Sequence, residues 1–110
     1  MSFKIKADNT VKWPVKVNVP QDGGTYLTQK FTAIIELIDY DTFAESLEGN
    51  DPDAALMLAV LKGWENVQDE SGAEIEYNDA VAEQLSKVVY FRLAVIAAYR
   101  DAVQGGAAKN

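Results

Sequence analysis

Val11, Trp13, Val15, Val17 and Val19 occupy alternate positions, with Lys12, Lys16 and Asn18 between them. That period of two is the mark of a half-buried β-strand, whose successive side chains point to opposite faces. Pro14 has no N–H to donate, which disfavours a central, fully paired place for the strand at that point. The run Pro20-Gln21-Asp22-Gly23-Gly24 is a turn signal. A second strand is expected over 25–37, with Phe31, Ala33, Ile35 and Leu37 on one face and Thr32, Ile34, Glu36 and Ile38 on the other. The two strands read as an antiparallel hairpin. A lone hairpin is marginal in water, so the rest of the chain must supply a partner layer. Trp13 serves either the hairpin core or edge, or a partner contact. Ile34 and Ile38 require cover by a second element or by a subunit.

The period then changes. Asp39 or Asp41 is placed to cap a short helix carrying Phe43, Ala44 and Leu47, which ends by Gly49. Asp51-Pro52-Asp53 opens the next helix: a carboxylate at the cap, proline at the first helical position, another acid in the first turn. Leu56, Val60 and Leu61 form its apolar stripe, and Gly63 weakens its continuity just before Trp64. Residues 69–74 are polar and turn-like, and Ile75 and Tyr77 form a short extended piece. Asn78 caps a further helix, with Asp79 in its first turn. From 79 to about 103, Val81, Leu85, Val88 or Val89, Ile96, Tyr99 and Val103 recur at helical spacing. One helix of about 25 residues would be ~37 Å long, more than the width of a small domain. Either it breaks near Lys87-Val88, or it is continuous and turns a second apolar face to another subunit. The expected fold is α+β: an N-terminal antiparallel β-hairpin packed against three to four α-helices. It forms one domain over 1–103, with a flexible tail at 104–110.

Composition narrows the chemistry. The 110 residues are 48% hydrophobic, which supports one modest core. Ten basic against seventeen acidic residues give a net charge of -7, which repels phosphate backbones. Lys4, Lys6, Lys12 and Lys16 cluster near the N-terminus, but Asp8 dilutes them and few aromatics interleave, so no nucleic-acid partner is expected. No apolar run approaches the ~20 residues needed to span a bilayer, and the N-terminal stretch lacks the apolar core of a signal peptide. The expectation is a soluble intracellular protein without a membrane partner.

Cysteine and histidine are absent, which removes thiol chemistry and the usual neutral-pH acid-base group. Ser2, Ser46, Ser71 and Ser86 lie in no nucleophile-elbow motif, and there is no phosphate-binding glycine loop. A calcium loop with Gly72 at its sixth position would begin at Val67 and end at Asn78, neither a carboxylate. Asp39, Asp41 and Glu45, like Glu74, Glu76 and Asp79, read as capping and solvating acids. No catalytic residue, cofactor or metal is expected. What remains is a surface for binding proteins, with Trp64, Tyr77, Tyr90, Phe91 and Tyr99 as candidate contacts, because large amphipathic side chains are enriched at interfaces. Trp64 is either core or anchor.

Several stretches carry a resemblance. Phe31 lies in an extended segment followed by Leu37-Ile38-Asp39-Tyr40-Asp41 and a helix with Phe43. A helix ending in Val60-Leu61-Lys62-Gly63-Trp64-Glu65-Asn66-Val67 precedes Asp69-Glu70-Ser71-Gly72, then Ile75-Glu76-Tyr77-Asn78 and a helical ending with Ala97-Ala98-Tyr99. Over about three quarters of its length the chain resembles the tail assembly chaperones of long-tailed phages and prophages. The Val-rich start with Trp13-Pro14 has no counterpart in that pattern. The resemblance implies a non-catalytic protein that binds the tape measure protein and helps the major tail tube protein assemble around it. It further implies action in the host cytoplasm, absence from the mature virion, and self-association as a homo-oligomer. The alternatives are a structural tail completion or head-tail connector subunit, and a small acidic inhibitor of a host protein.

Overall fold

The computed structural model describes residues 2–105. The alternating segment forms strand β1 (Thr10–Gln21), which pairs antiparallel with β2 (Thr25–Glu36) from Thr10↔Glu36 to Gln21↔Thr25. Asp22, Gly23 and Gly24 close the hairpin. Both glycines have positive φ, 85° and 82°, a conformation that costs most residues energy and glycine almost none. Val15, Val17, Phe31, Ala33 and Ile35 are buried on the inner face, and Trp13 is half-buried on that face opposite Ala33.

Among the described residues four helices follow: α1 (Tyr40–Ser46), α2 (Pro52–Val60), α3 (Asp79–Ser86) and α4 (Val89–Gln104). Three begin at a side-chain cap. Asp39 accepts from the Thr42 N–H at 2.9 Å, Asp51 from Ala54 at 3.3 Å and Asn78 from Val81 at 2.9 Å. Each cap occupies one amide that a helix start otherwise leaves unpaired. Helix α4 packs on β1 and against α2 and α3, while α1 packs on α2. Phe91, Val95, Ile96, Ala98 and Tyr99 form the buried side of α4. The expected arrangement of an N-terminal hairpin and helices is therefore present. The chain is helical to Gln104, and Gly105 ends α4 with a left-handed φ of 63°. The tail expected from 104 thus gives up its first residue to the helix, and 106–110 lie outside the described residues.

Two stretches depart from a simple helical pattern. First, α2 stops at Val60, and residues expected to continue or terminate it form strand β3 (Leu61–Glu65). It pairs antiparallel with β2, completing a sheet of order β1-β2-β3. Thr32↔Glu65, Ala33↔Trp64 and Ile34↔Gly63 are in register, and the register shifts before Ile35↔Leu61. Gly63 is there for space: a β-carbon on it would lie 3.0 Å from Ile34 Cδ1. Ile34, which needed cover on the outer face, folds over this glycine. Lys12 of β1 reaches across that same face to Glu65 of β3 at 2.8 Å. Second, the long helical stretch breaks at Lys87 and Val88 into α3 and α4. Ser86 Oγ donates to the Glu83 carbonyl, and the Arg92 guanidinium donates to the Ser86 carbonyl. The carbonyl freed at the end of α3 is thereby satisfied.

The contact between Ile34 and Gly63 makes a stability prediction. Gly63→Val places a branched side chain in space that Ile34 fills, and is expected to cost about 1–3 kcal/mol by overpacking. Ile34→Ala in the same chain should recover part of that loss. Thermal or urea unfolding of the two single variants and the double variant measures the coupling. Strictly additive effects would show that the contact does not fix β3.

Candidate functional site

The aromatic side chains converge where β3, the segment before α3 and the start of α4 meet. Trp64 is only 8% exposed. Its indole N–H donates to the Ile75 carbonyl at 2.7 Å. Tyr77 meets it edge-on, with ring centroids 5.0 Å apart and planes at 79°. Phe91 meets it at 6.4 Å and 81°, and itself stacks on Phe31 at 5.3 Å and 5°. These are the offset and edge geometries that the ring quadrupole favours. The Tyr77 hydroxyl donates to the Leu61 carbonyl at 2.9 Å.

The five candidate contact residues therefore divide. Trp64, Phe91 and Tyr99 are buried, and Tyr77 is half-buried with its hydroxyl engaged. Tyr90, at 42% exposure, is the one of the five left substantially open. Trp64 sits in a strand and not at a helix end, so the indole that a partner would need faces inward. Tyr99 lies about two turns beyond Phe91 on α4, away from the ring cluster.

An open groove of about 830 Å³ borders the cluster. Its floor includes Val17, Phe31, Val67, Leu85 and Phe91, and Tyr90 stands among its lining residues. Gln29 and Lys30 of β2 flank it, as does the loop 66–70 that follows β3. Asn66 adopts φ 69°, the one left-handed non-glycine residue among those described, and turns the chain away from β2 there. Asp69 holds the next turn closed. Its Oδ1 accepts from the N–H and hydroxyl of Ser71 and from the Ala73 N–H, at 2.9, 2.6 and 3.1 Å. Those donors hold the Asp69 carboxyl below the usual carboxylate range. Among the described residues no group of acids is disposed to hold a metal ion.

A second apolar surface runs along α4. Val89, Leu93 and Ala97 fall at i, i+4 and i+8 on its outward side, with Val89 61% and Leu93 51% exposed. The groove is not among the sequence-based expectations, whereas a second apolar face is, as one of the two alternatives for the stretch from 79. The spacing of Val89, Leu93 and Ala97 is legible as a second helical face, whereas the groove depends on the turn at Asn66.

One polar clamp fixes the helices beneath these surfaces. Asp51 caps α2 and also receives a bidentate pair from Arg92 of α4, at 2.9 and 3.0 Å. Arg92 in turn reaches Ser86 at the end of α3. The Arg92 guanidinium, followed by the Ala54 amide, lowers the Asp51 carboxyl below its ordinary value. Compared with known proteins, the chain matches no family model, no curated protein and no solved structure.

Trp64→Ala is expected to cost about 3–5 kcal/mol, the range for truncating a large core aromatic. Circular dichroism melts read that loss, and an unchanged melt would return Trp64 to the surface. The pH dependence has a definite sign. Asp51 and Asp69 are lowered in the folded state, so their contribution is present above the ordinary carboxylate range and is lost as pH falls through their folded values. Burial raises the Tyr77 and Tyr99 hydroxyls, with Asp79 adding to the effect at Tyr77. Their contribution is full below about pH 10 and lost above it. Asp51→Asn keeps a capping oxygen but removes the charge. It should make the acid limb of a stability-pH curve shallower, with Asp69 still contributing, and leave the alkaline limb unchanged.

Proposed function

We infer that this protein is a non-catalytic chaperone of phage tail assembly, which covers apolar helical segments of the tape measure protein until tail tube subunits enclose them. The observation that carries the reading is the exposed apolar stripe of α4, Val89, Leu93 and Ala97, beside the partly open Tyr90. A rigid helix face of this kind suits another amphipathic helix, which docks through side chains at i, i+3, i+4 and i+7. The resemblance of 31–47, 60–78 and 97–99 to the family supplies the identity of the client. Burial of each apolar side chain on the client contributes roughly 1.5–3 kcal/mol at most, so a short stripe gives a grip that later subunits can displace. The net charge of -7 favours keeping such a complex dispersed.

Among the described residues no helix is long and apolar enough to cross a membrane, so the stripe belongs to no membrane-spanning helix of the kind identified by length and hydropathy. Of the five candidate contacts, Tyr90 is the best placed for a client. Trp64, Phe91 and Tyr99 support the surface from beneath, and Tyr77 closes the cluster at its side.

The test is affinity capture of the tagged chain from cells producing the tail, with partners identified by mass spectrometry. Recovery of a very long helical tape measure protein, with little of this chain in finished particles, is expected. The variant Val89→Glu/Leu93→Glu should keep its circular dichroism spectrum and lose that partner by at least tenfold. Recovery of the chain in mature particles with only tube or connector proteins would overturn the reading.

A further inference from the structure

The sheet is incomplete on one side. Strand β3 pairs with β2 only from Thr32 to Ile35, because Asn66 turns the chain away immediately after Glu65. Residues 25–31 of β2 continue past that point, paired with β1 on one edge and, among the described residues, with no strand on the other. In a strand, alternate residues direct both N–H and C=O to the same side, so such an edge is a template for an added strand. The groove borders the start of this edge, at Gln29, Lys30 and Phe31. Its floor is Val17, Phe31, Val67 and Phe91.

The chain also carries an unplaced segment with the matching pattern. Residues 3–7 read Phe-Lys-Ile-Lys-Ala, apolar and basic in strict alternation, and they belong to no helix or strand. Phe3 is 89% and Ile5 86% exposed, the highest values among the exposed large hydrophobic residues described. The departure from the sheet is fixed. Leu37 N–H donates to the Asn9 carbonyl at 2.7 Å, and Asp8 accepts from the N–H and hydroxyl of Thr10, each at 2.9 Å. Beyond Asp8 the segment projects as an arm.

The arm cannot lie along the open edge of its own chain. Thr10 pairs with Glu36, so the edge begins five residues away at Phe31, about 17 Å along the strand. Ala7 is three residues from Thr10 and reaches at most about 10 Å. A second copy has no such limit. We propose that residues 3–7 of one copy add as a strand to the free edge of β2, residues 25–31, in another copy, seating Phe3 and Ile5 in the groove. A period of two puts Phe3, Ile5 and Ala7 on the face toward the floor and Lys4 and Lys6 on the other. On that other face Lys4 and Lys6 come beside Lys30, so the apolar side chains and the main-chain hydrogen bonds carry the pairing. Two such contacts related by a two-fold axis close a dimer, and otherwise the arms link copies into a longer array. The edge, the groove and the arm carry this pairing without the tail-assembly reading.

Sedimentation or light scattering over the micromolar range tests it on the full chain. The wild type is expected at a mass above one chain, and Phe3→Glu/Ile5→Glu at the mass of one chain with unchanged circular dichroism. Both positions are exposed, so that variant does not confuse assembly with folding. An amine-reactive crosslinker applied to mixed isotope-labelled and unlabelled chains should join Lys4 or Lys6 of one copy to Lys30 of another. A wild type that stays a single chain overturns the proposal. So does a Phe3→Glu/Ile5→Glu variant that keeps the larger mass, or a crosslinked assembly joined only elsewhere.

Discussion

The structure depends on one row of residues across the sheet. Trp13, Ala33 and Trp64 are cross-strand partners on the inner face, so two indoles flank a methyl group. Only a small residue at the centre leaves both rings room to lie against the helices, since protein interiors tolerate little overpacking. The next row compensates on the outer face: Lys12, Ile34 and Gly63, where the bulk sits at the centre and the glycine yields. These two rows fix β3 against β2, and β3 in turn carries Trp64 to Ile75, Tyr77 and Phe91. The ring cluster then joins sheet, pre-α3 segment and α4 in one contact set.

The polar interactions serve that arrangement and do not replace it. Arg92 meets the cap of α2 with its guanidinium and the end of α3 with its Nε, so three helices share one cation. The Trp64 indole and Tyr77 hydroxyl each satisfy a backbone carbonyl beside the cluster, which spares those groups the cost of burial without a partner. On the outer face Lys12 and Glu65 are both well exposed, 65% and 49%, and an ion pair of that kind contributes little. Apolar packing on the inner face therefore outweighs the surface charges in holding the three strands together.

The same geometry leaves two surfaces unfinished. The outward side of α4 retains an apolar stripe because its inward side already meets β1 and α2. The edge of β2 stays free because Asn66 ends β3 after one short register. A helix face and a strand edge recruit different partners, the first through side chains and the second through main-chain hydrogen bonds. The two surfaces meet at Tyr90, which lines the groove and stands beside the stripe.

The sequence by itself determined the hairpin, its inner face, the capped helix starts at Asp51 and Asn78 and the absence of thiol and imidazole chemistry, because each rests on local periodicity or on side-chain inventory. Between Asp39 and Asp41 as the first cap, the structure decided for Asp39. The sequence left the helical stretch from 79 onward open between one helix and two, since the decisive contact, Arg92 on Ser86, joins side chain to backbone across the break. It missed β3 because Leu61-Lys62-Gly63-Trp64-Glu65 is too short to show a period and follows α2 without a turn residue. Of the candidate contacts, Tyr90 was placed at a surface, while Trp64, Phe91 and Tyr99 went inward and Tyr77 went halfway. Composition gives a large aromatic the same identity in either place. Only tertiary structure decided between them, since burial of Trp64 depends on Ala33, thirty-one positions earlier in the chain, leaving it room.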